Sequence, residues 1–183
     1  MEAKQKTQKS AAQEKRDLIR IEKVTLNIGT GKEQDKLEKA VKLIKNIAGR
    51  DGVKTVSQKR IPNWGLRPGL AIGTKLTVRK APAKELLTRL LVAKDNKLPE
   101  KSFDDSGNVA FGLQEYIDIP GVSYDPKIGV MGLQATITLE KIGYRIKKRR
   151  IMPKKIPSRH KLTKEDAIKF MQREFNIEVG DRE

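Results

Sequence analysis

The chain has 183 residues, enough for one domain with a sizeable core and tails but too few for two comfortable domains. Its 40 Lys and Arg against 23 Asp and Glu give a net charge of +17, so we expect a polyanionic partner. Nucleic acid is favoured over a membrane surface because no long apolar run or aromatic-faced amphipathic helix occurs. The lack of cysteine excludes disulfides and thiolate metal sites and, with an N-terminus that lacks an apolar signal region, favours a cytoplasmic location.

The N-terminal part of the chain predicts an arm followed by a strand, a helix and a second strand. Residues 1–18 are polar and lysine-rich, which is typical of an arm without a core of its own. Apolar and polar residues alternate over 19–29, the pattern of a half-buried strand. Apolar residues at helical spacing over 35–48 predict a helix with one buried stripe, and a second strand is predicted over 53–58.

The segment GTGK at residues 29–32 invites interpretation as a phosphate-binding loop. The Walker pattern needs a glycine where this chain has Leu26 and a Ser or Thr where it has Glu33. The dinucleotide-binding pattern fails as well, because Gln34 replaces its third glycine. The segment is therefore predicted to be an ordinary strand-to-helix turn.

A loop rich in Pro and Gly over residues 58–70, called the tongue below, is predicted to join two strands. It contains the only tryptophan, Trp64, together with Lys59, Arg60 and Arg67, and it contains no acidic residue. An indole among cations can stack on a base or ribose while the cations contact phosphates. The alternative is that Trp64 folds back and fills the core beneath the loop.

The remaining elements predict the fold class. A strand ends at Arg79, a helix follows over 83–93, and further strands are predicted over 109–119 and 133–141. Strands with one polar face and only two amphipathic helices indicate an α+β fold. We predict a single-domain, two-layer sandwich in which an antiparallel-rich, five-stranded sheet carries helices on one face.

The other face of this sheet, called the open face below, is predicted to carry short hydroxyl, amide and cationic side chains. They are Thr25, Asn27, Lys75, Thr77, Arg79, Thr136 and Thr138. Such groups can reach ribose 2′-hydroxyls and phosphates across an RNA minor groove. Any solvated sheet also shows polar residues, so the argument for RNA contact needs the net charge in addition.

The C-terminal part is strongly basic. No acidic residue occurs over 141–161, and a run of cations broken by prolines predicts an extended arm that lies on phosphates. A final helix capped by Thr163 is predicted to dock back on the domain. The predicted organisation is an N-terminal arm over 1–18, an RNA-binding core over 19–141 and a C-terminal extension over 142–183.

Signs of catalysis are weak. His160 is the only histidine and lies between two cations, so we expect one more polar group of the basic arm, and one His without Cys cannot build a zinc site. No cofactor or metal is expected. The alternative to a structural RNA-binding protein is a Mg²⁺-dependent nucleic-acid-processing enzyme that uses Asp104, Asp105 and Glu115.

Four motifs in order carry a family resemblance. They are VTLNIGTG (24–31), GLAIGTKLTVR (69–79), KSFDDSGNVAFGLQEYIDIPGVSYDP (101–126) and GLQATITL (132–139). Together they resemble the universal large-ribosomal-subunit protein five family over most of residues 21–139. The basic tail GYRIKKRRIMPKKIPSRHK is similar to the archaeal and eukaryotic branch of that family.

The resemblance implies a non-enzymatic component of the large ribosomal subunit that binds 5S rRNA and helps attach it in the central protuberance. It implies further contacts with large-subunit rRNA, with the P-site tRNA and, through an intersubunit bridge, with a small-subunit head protein. We accordingly expect a monomer within the ribosome, next to other ribosomal proteins and without membrane contact.

The expected contact residues fall into two sets. Those expected to bind rRNA are Thr25, Asn27, Gln58, Lys59, Lys75, Thr77, Arg79, Lys147, Lys148, Arg149 and Arg150. Those expected to bind tRNA, at the tip of the tongue, are Arg60, Asn63, Trp64 and Arg67. The resemblance places Asn27 in the strand-one motif of the family.

Overall fold

The computed structural model describes residues 18–180. The arm predicted over residues 1–18 therefore lies, apart from Leu18, outside the described residues. Within residues 18–180, no helix combines the length and the apolar character that a membrane crossing requires.

Seven strands and four α-helices make up the described part of the chain. In chain order they are β1 (Ile19–Gly29), α1 (Gln34–Ala48), β2 (Val53–Val56), β3 (Ala71–Val78), α2 (Ala81–Val92), β4 (Lys97–Leu98), β5 (Val109–Leu113), β6 (Leu133–Lys141), α3 (Arg145–Lys148), α4 (Lys164–Phe175) and β7 (Glu178–Val179). Short 3₁₀ turns occur at Pro62–Trp64, Glu100–Ser102, Tyr116–Asp118 and Ser158–His160.

Five strands form one antiparallel sheet in the order β2-β3-β1-β6-β5. The central strand β1 pairs Leu26 with Leu76 of β3 and with Ala135 of β6. These three side chains are buried on the same face, because residues paired across strands point to the same side of a sheet. β4 and β7 form a separate two-stranded parallel sheet.

The helices cover one face of the sheet. α1 packs on β1 and β3, and α2 packs on β1. Ile44 of α1 and Leu87 of α2 are fully buried and share one hydrophobic cluster with Leu26 and Ile137 of the sheet. Each such side chain contributes about 1.5–3 kcal/mol when it is fully buried. The predicted α+β sandwich, with an antiparallel five-stranded sheet and helices on one face, is confirmed.

The C-terminal segment completes this core. The Thr163 hydroxyl accepts a hydrogen bond from the Asp166 amide at 3.3 Å, so the predicted helix cap is present. α4 then buries one side against the domain, and β7 ends the segment by pairing with β4. The buried side chains of the segment are Leu162, Ala167, Phe170, Met171 and Ile177, all members of the main hydrophobic cluster. Docking of the last helix is confirmed.

Some predicted boundaries are wrong. β2 ends at Val56 rather than at residue 58, because the chain turns into the tongue there. β5 ends at Leu113 rather than at residue 119, since its partner β6 begins at Leu133 opposite that residue. The chain continues in a 3₁₀ turn in which buried Tyr116 accepts a hydrogen bond from the Asp125 amide through its hydroxyl.

The two edges of the main sheet differ. At one edge, β2 has only four residues, its register with β3 shifts between Thr55 and Val56, and Lys54 is exposed. At the other edge, an isolated bridge joins Val109 of β5 to Phe103. Neither edge therefore presents a long, regular strand.

Candidate nucleic-acid interface

The centre of the open face is a row of residues from four strands. The register pairs Asn27 of β1 with Lys75 of β3 and with Gln134 of β6, and Gln134 with Gly112 of β5. Lys75 and Gln134 are exposed and Asn27 is half-buried. A Cβ atom added at Gly112 would meet nothing within 4 Å, so bare backbone lies beside the Gln134 amide.

A second row consists of hydroxyl groups. Thr25 of β1 lies between Thr77 of β3 and Thr136 of β6, with neighbouring strands about 4.8 Å apart. These three hydroxyls and the amide groups of Asn27 and Gln134 form no hydrogen bond with any other residue of 18–180. They are therefore available to a partner. The pleat also directs Lys23 and Thr138 to this face, and Arg79 follows β3 by one residue.

The structure thus brings together the predicted open-face residues, and it adds Gln134. The alternation over 133–141 also directs Gln134 to this face, although Gln134 is not among the predicted contact residues. Its direct pairing with Asn27 becomes visible only from the register of β1 and β6. That pairing depends on contacts between residues more than 100 positions apart, which periodicity along one strand does not reveal.

Backbone hydrogen bonds hold the tongue at two levels. At its base, the Ser57 amide donates to the Leu70 carbonyl at 2.8 Å and the Gly69 amide donates to the Ser57 carbonyl at 2.9 Å. Nearer the tip, Ile61 and Leu66 exchange hydrogen bonds of 3.0 and 3.1 Å. The tongue is therefore an ordered hairpin.

The tip of the tongue exposes the Trp64 indole to solvent. Pro62–Trp64 forms a 3₁₀ turn that Gly65 ends with φ of 66°, a conformation suited to glycine. The Trp64 side chain is 68% exposed, whereas Leu66 is 7% exposed. Leu66 thus fills the space beneath the hairpin, and the alternative in which Trp64 plugs the core is wrong. Arg60, Asn63 and Arg67 are exposed around the indole.

Replacing Trp64 by alanine should change the free energy of unfolding by no more than about 0.5 kcal/mol, because the side chain loses little burial. Leu66→Ala is the matched control and should cost about 2 kcal/mol or more. Urea unfolding followed by circular dichroism measures both variants. A loss above about 2 kcal/mol in the Trp64 variant would contradict the exposed indole.

A buried carboxylate anchors the far end of the sheet. Glu140 is 6% exposed, and its Oε1 accepts hydrogen bonds from Arg20 Nε at 2.9 Å and Nη2 at 2.6 Å. Lys148 Nζ lies 2.7 Å from Glu140 Oε2 and 2.6 Å from Glu22 Oε1. Burial alone would raise the pKa of Glu140, but hydrogen bonds from Lys148 and Arg20 outweigh it and hold the pKa of this carboxyl below its usual value.

Residues 145–155, called the basic loop below, are folded rather than extended. After α3 the chain reverses at Met152, which has φ of 50°. The Lys154 amide donates to the Ile146 carbonyl at 3.2 Å, and Arg149 Nε donates to the Met152 carbonyl at 2.8 Å. The prediction of an extended arm over 141–161 is therefore wrong. The carboxylates that offset repulsion within the loop, Glu22 and Glu140, precede it in the sequence.

The cations of the basic loop differ in their surroundings. Lys148 is shared by two carboxylates, and its predicted phosphate contact stays a prediction. The other cations of the loop are exposed and form no ion pair with the described residues: Arg145, Lys147, Arg149, Arg150, Lys154 and Lys155.

His160 links the segment that follows the basic loop to the segment that precedes it. Its Nε2 lies 3.0 Å from the Ile142 carbonyl oxygen, and its ring meets that of Tyr144 edge-on, with centroids 5.8 Å apart. The Tyr144 hydroxyl donates to the His160 carbonyl at 3.2 Å and accepts from the Leu162 amide at 2.8 Å. His160 is thus a structural link as well as a polar group of a basic segment.

The carboxylates proposed for a Mg²⁺ enzyme do not converge. Asp104 closes a turn, with its amide donating to the Asn108 carbonyl at 2.9 Å and its Oδ2 accepting from Asn108 Nδ2 at 3.3 Å. Among residues 18–180, no group of three or more His, Asp or Glu side chains is arranged to hold a metal ion, and Asp105 and Glu115 form no such group with Asp104.

The sheet carries helices on one face and exposed polar and cationic side chains on the other, a combination that suits an RNA-binding protein. The chain belongs to the ribosomal protein L5 family. A family profile described as "Ribosomal protein L5" matches residues 17–67, and a second profile, which describes the C-terminus of the same ribosomal family, matches residues 71–177.

Relatives from archaea agree over nearly the whole chain. The large ribosomal subunit protein uL5 of Nanoarchaeum equitans is 49% identical over 162 residues, which cover 88% of this chain and 95% of that one. The uL5 proteins of Sulfolobus acidocaldarius and Methanosphaera stadtmanae are 43% and 40% identical over 87% of this chain and 89% and 95% of theirs.

Family membership settles several predictions. The resemblance in its archaeal form is confirmed, and the chain is a large-subunit ribosomal protein that works with rRNA inside the cytoplasmic ribosome. The family is a structural component rather than an enzyme, so the Mg²⁺-dependent alternative is rejected.

Proposed function

We propose that this ribosomal protein binds 5S rRNA on its open face and helps attach it in the central protuberance of the large subunit. The observation that carries the proposal is the row formed by Lys75, Asn27 and Gln134. It sets a cation and two amides side by side on an uncovered sheet face. A flat surface of this composition fits the wide, shallow minor groove of A-form RNA.

Neutral polar and cationic side chains are expected to contact different parts of the RNA. The amide of Asn27 and the hydroxyls of Thr25 and Thr77 can each donate and accept, as a ribose 2′-hydroxyl does. Cations instead neutralise phosphates and release counterions. On the open face and at the base of the tongue, these cations are Lys59, Lys75 and Arg79, and Gln58 beside Lys59 adds an uncharged amide. In the basic loop these cations are Lys147, Arg149 and Arg150, while Lys148 pairs with Glu22 and Glu140.

The tip of the tongue serves a second RNA. Trp64 can stack on a base or ribose of the P-site tRNA, while Arg60 and Arg67 contact phosphates and Asn63 supplies an amide. The exposed indole and the two levels of hydrogen bonds below it support this role. Further contacts, to large-subunit rRNA and through an intersubunit bridge to a small-subunit head protein, complete the proposal for a monomer within the ribosome.

Filter binding with purified 5S rRNA over a salt series tests the open face. Affinity should fall with salt with a log–log slope of roughly −0.7 to −0.9 per phosphate contacted, and EDTA should change neither the affinity nor the RNA. Asn27→Ala should weaken binding about tenfold by loss of hydrogen bonds worth about 1.4 kcal/mol, without changing the slope.

Asn46→Ala is the matched control, since Asn46 is exposed on α1 in the helical layer. It should leave affinity unchanged. If the protein does not bind 5S rRNA, or if both variants bind equally well, the open face is not the 5S site.

A further inference from the structure

The buried ion-pair cluster lies at the border of the open face. Along β6, Gln134, Thr136 and Thr138 point to that face, and Glu140 follows in the same alternation. Glu140 pairs with Arg20, close to the start of β1, whereas the tongue adjoins the end of β1. The two basic segments therefore lie at opposite ends of the open face.

Within residues 18–180, Lys148 is the one side chain of the basic loop that forms an ion pair with the sheet. Lys148 ends α3, and its Nζ bridges Glu140 and Glu22 at 2.7 and 2.6 Å. The loop itself is one unit, because the Lys154 amide reaches back to the Ile146 carbonyl. Tyr144 and His160 link the residues that flank the loop. The two carboxylates that receive Lys148 add the contact that holds the loop itself against the sheet, although its other cations repel one another.

We propose that Glu140 is a positioning residue for RNA binding, because through Lys148 it holds the basic loop beside the open face. The inference rests on the proposed binding of RNA to that face. It assigns a required role to a negative charge in a protein whose partner is a polyanion. Lys148 acts here through the loop, and the exposed cations Lys147, Arg149 and Arg150 meet the phosphates.

The expected change in RNA affinity on neutralising Glu140 is opposite in sign to the change that net charge alone predicts. Neutralising a carboxylate near RNA removes repulsion, so the net charge alone predicts tighter binding. If Glu140 positions the loop, replacing its carboxylate by a neutral amide releases the loop. Several cations then no longer contact the RNA, and binding weakens. Glu85→Gln is a matched control, since Glu85 is exposed on α2 and the substitution changes the net charge equally.

Filter binding of 5S rRNA over a salt series compares the two variants. Glu140→Gln should bind about tenfold more weakly and lose roughly 1.5–2.5 from the magnitude of the log–log slope, equivalent to two or three phosphate contacts. Glu85→Gln should bind as tightly as the parent protein or slightly more tightly. The proposal would be overturned if Glu140→Gln had the same affinity and the same log–log slope as Glu85→Gln.

A second pair of variants covers the case in which Glu140→Gln fails to fold. Lys148→Gln leaves Glu140 paired with Arg20, and Lys147→Gln removes a neighbouring exposed cation. If Lys148 only contacted a phosphate, each variant would lose roughly 0.7–0.9 from the slope. The positioning role predicts a loss at least twice as large for Lys148→Gln, and equal losses would overturn it.

Limited trypsin digestion without RNA tests the anchor separately from 5S binding. Cleavage after residues 147–150 should be several-fold faster in Glu140→Gln than in Glu85→Gln, because a released loop is a better protease substrate. Unchanged cleavage would overturn the anchor even if the parent protein binds 5S rRNA. Failure of the parent protein to bind 5S rRNA, with cleavage accelerated, would instead reject the proposed function alone.

Discussion

A chain that ends at Lys161 is expected not to fold cooperatively. The removed segment buries Leu162, Phe170, Met171 and Ile177 in the main hydrophobic cluster. Four such side chains contribute about 6–12 kcal/mol, which is comparable to the whole stability of a typical domain. Thermal unfolding followed by circular dichroism should therefore lose its sharp transition in the shortened protein.

A pair of single substitutions tests the same point without truncation. Met171 is fully buried, so Met171→Ala should lower the free energy of unfolding by about 2–5 kcal/mol. Met152 is 68% exposed in the basic loop, and Met152→Ala should change it by no more than about 0.5 kcal/mol. Equal unfolding free energies for the two variants would show that α4 contributes nothing to the core.

Reversal of one charge at the centre of the open face should have the largest effect on RNA binding. Lys75→Glu removes a phosphate contact and adds repulsion, which we expect to cost about 3 kcal/mol, or about a hundredfold in affinity for 5S rRNA. Lys75 is exposed, so the fold should persist.

Lys42→Glu makes the same change of charge on the exposed side of α1, away from the open face. It should weaken binding severalfold at most, through the smaller net charge alone. A similar loss for the two reversals, measured at one salt concentration, would mean that RNA is attracted by the charge of the whole protein and has no preferred face.

Long, regular elements could be predicted from the sequence because their periodicity is local. The alternation over 133–141 gives β6 with both ends correct, and the stripe over 35–48 gives α1 within one residue. β4 and β7 could not be predicted, since strands of two residues show no period. The pairing of β7 with β4 depends instead on where α4 docks.

The candidate site could likewise be predicted from the sequence only in part. Outward residues of β1 and β3 followed from alternation, but the row that joins Asn27 to Gln134 needed the order of the strands. The structure of the basic loop could be predicted from the sequence even less well. All of its charged residues are cations, and the carboxylates that hold Lys148 come from the start of β1 and the end of β6. Charge patterns within a window cannot identify such partners.

The short edge strand β2 has a consequence for the protein before it joins a ribosome. An exposed edge can recruit a strand from a second copy and begin aggregation. Four residues, an irregular register and the exposed Lys54 leave little room for such pairing. The edge of the sheet at β2 therefore disfavours strand pairing between copies of the protein, even though one face of the sheet is uncovered.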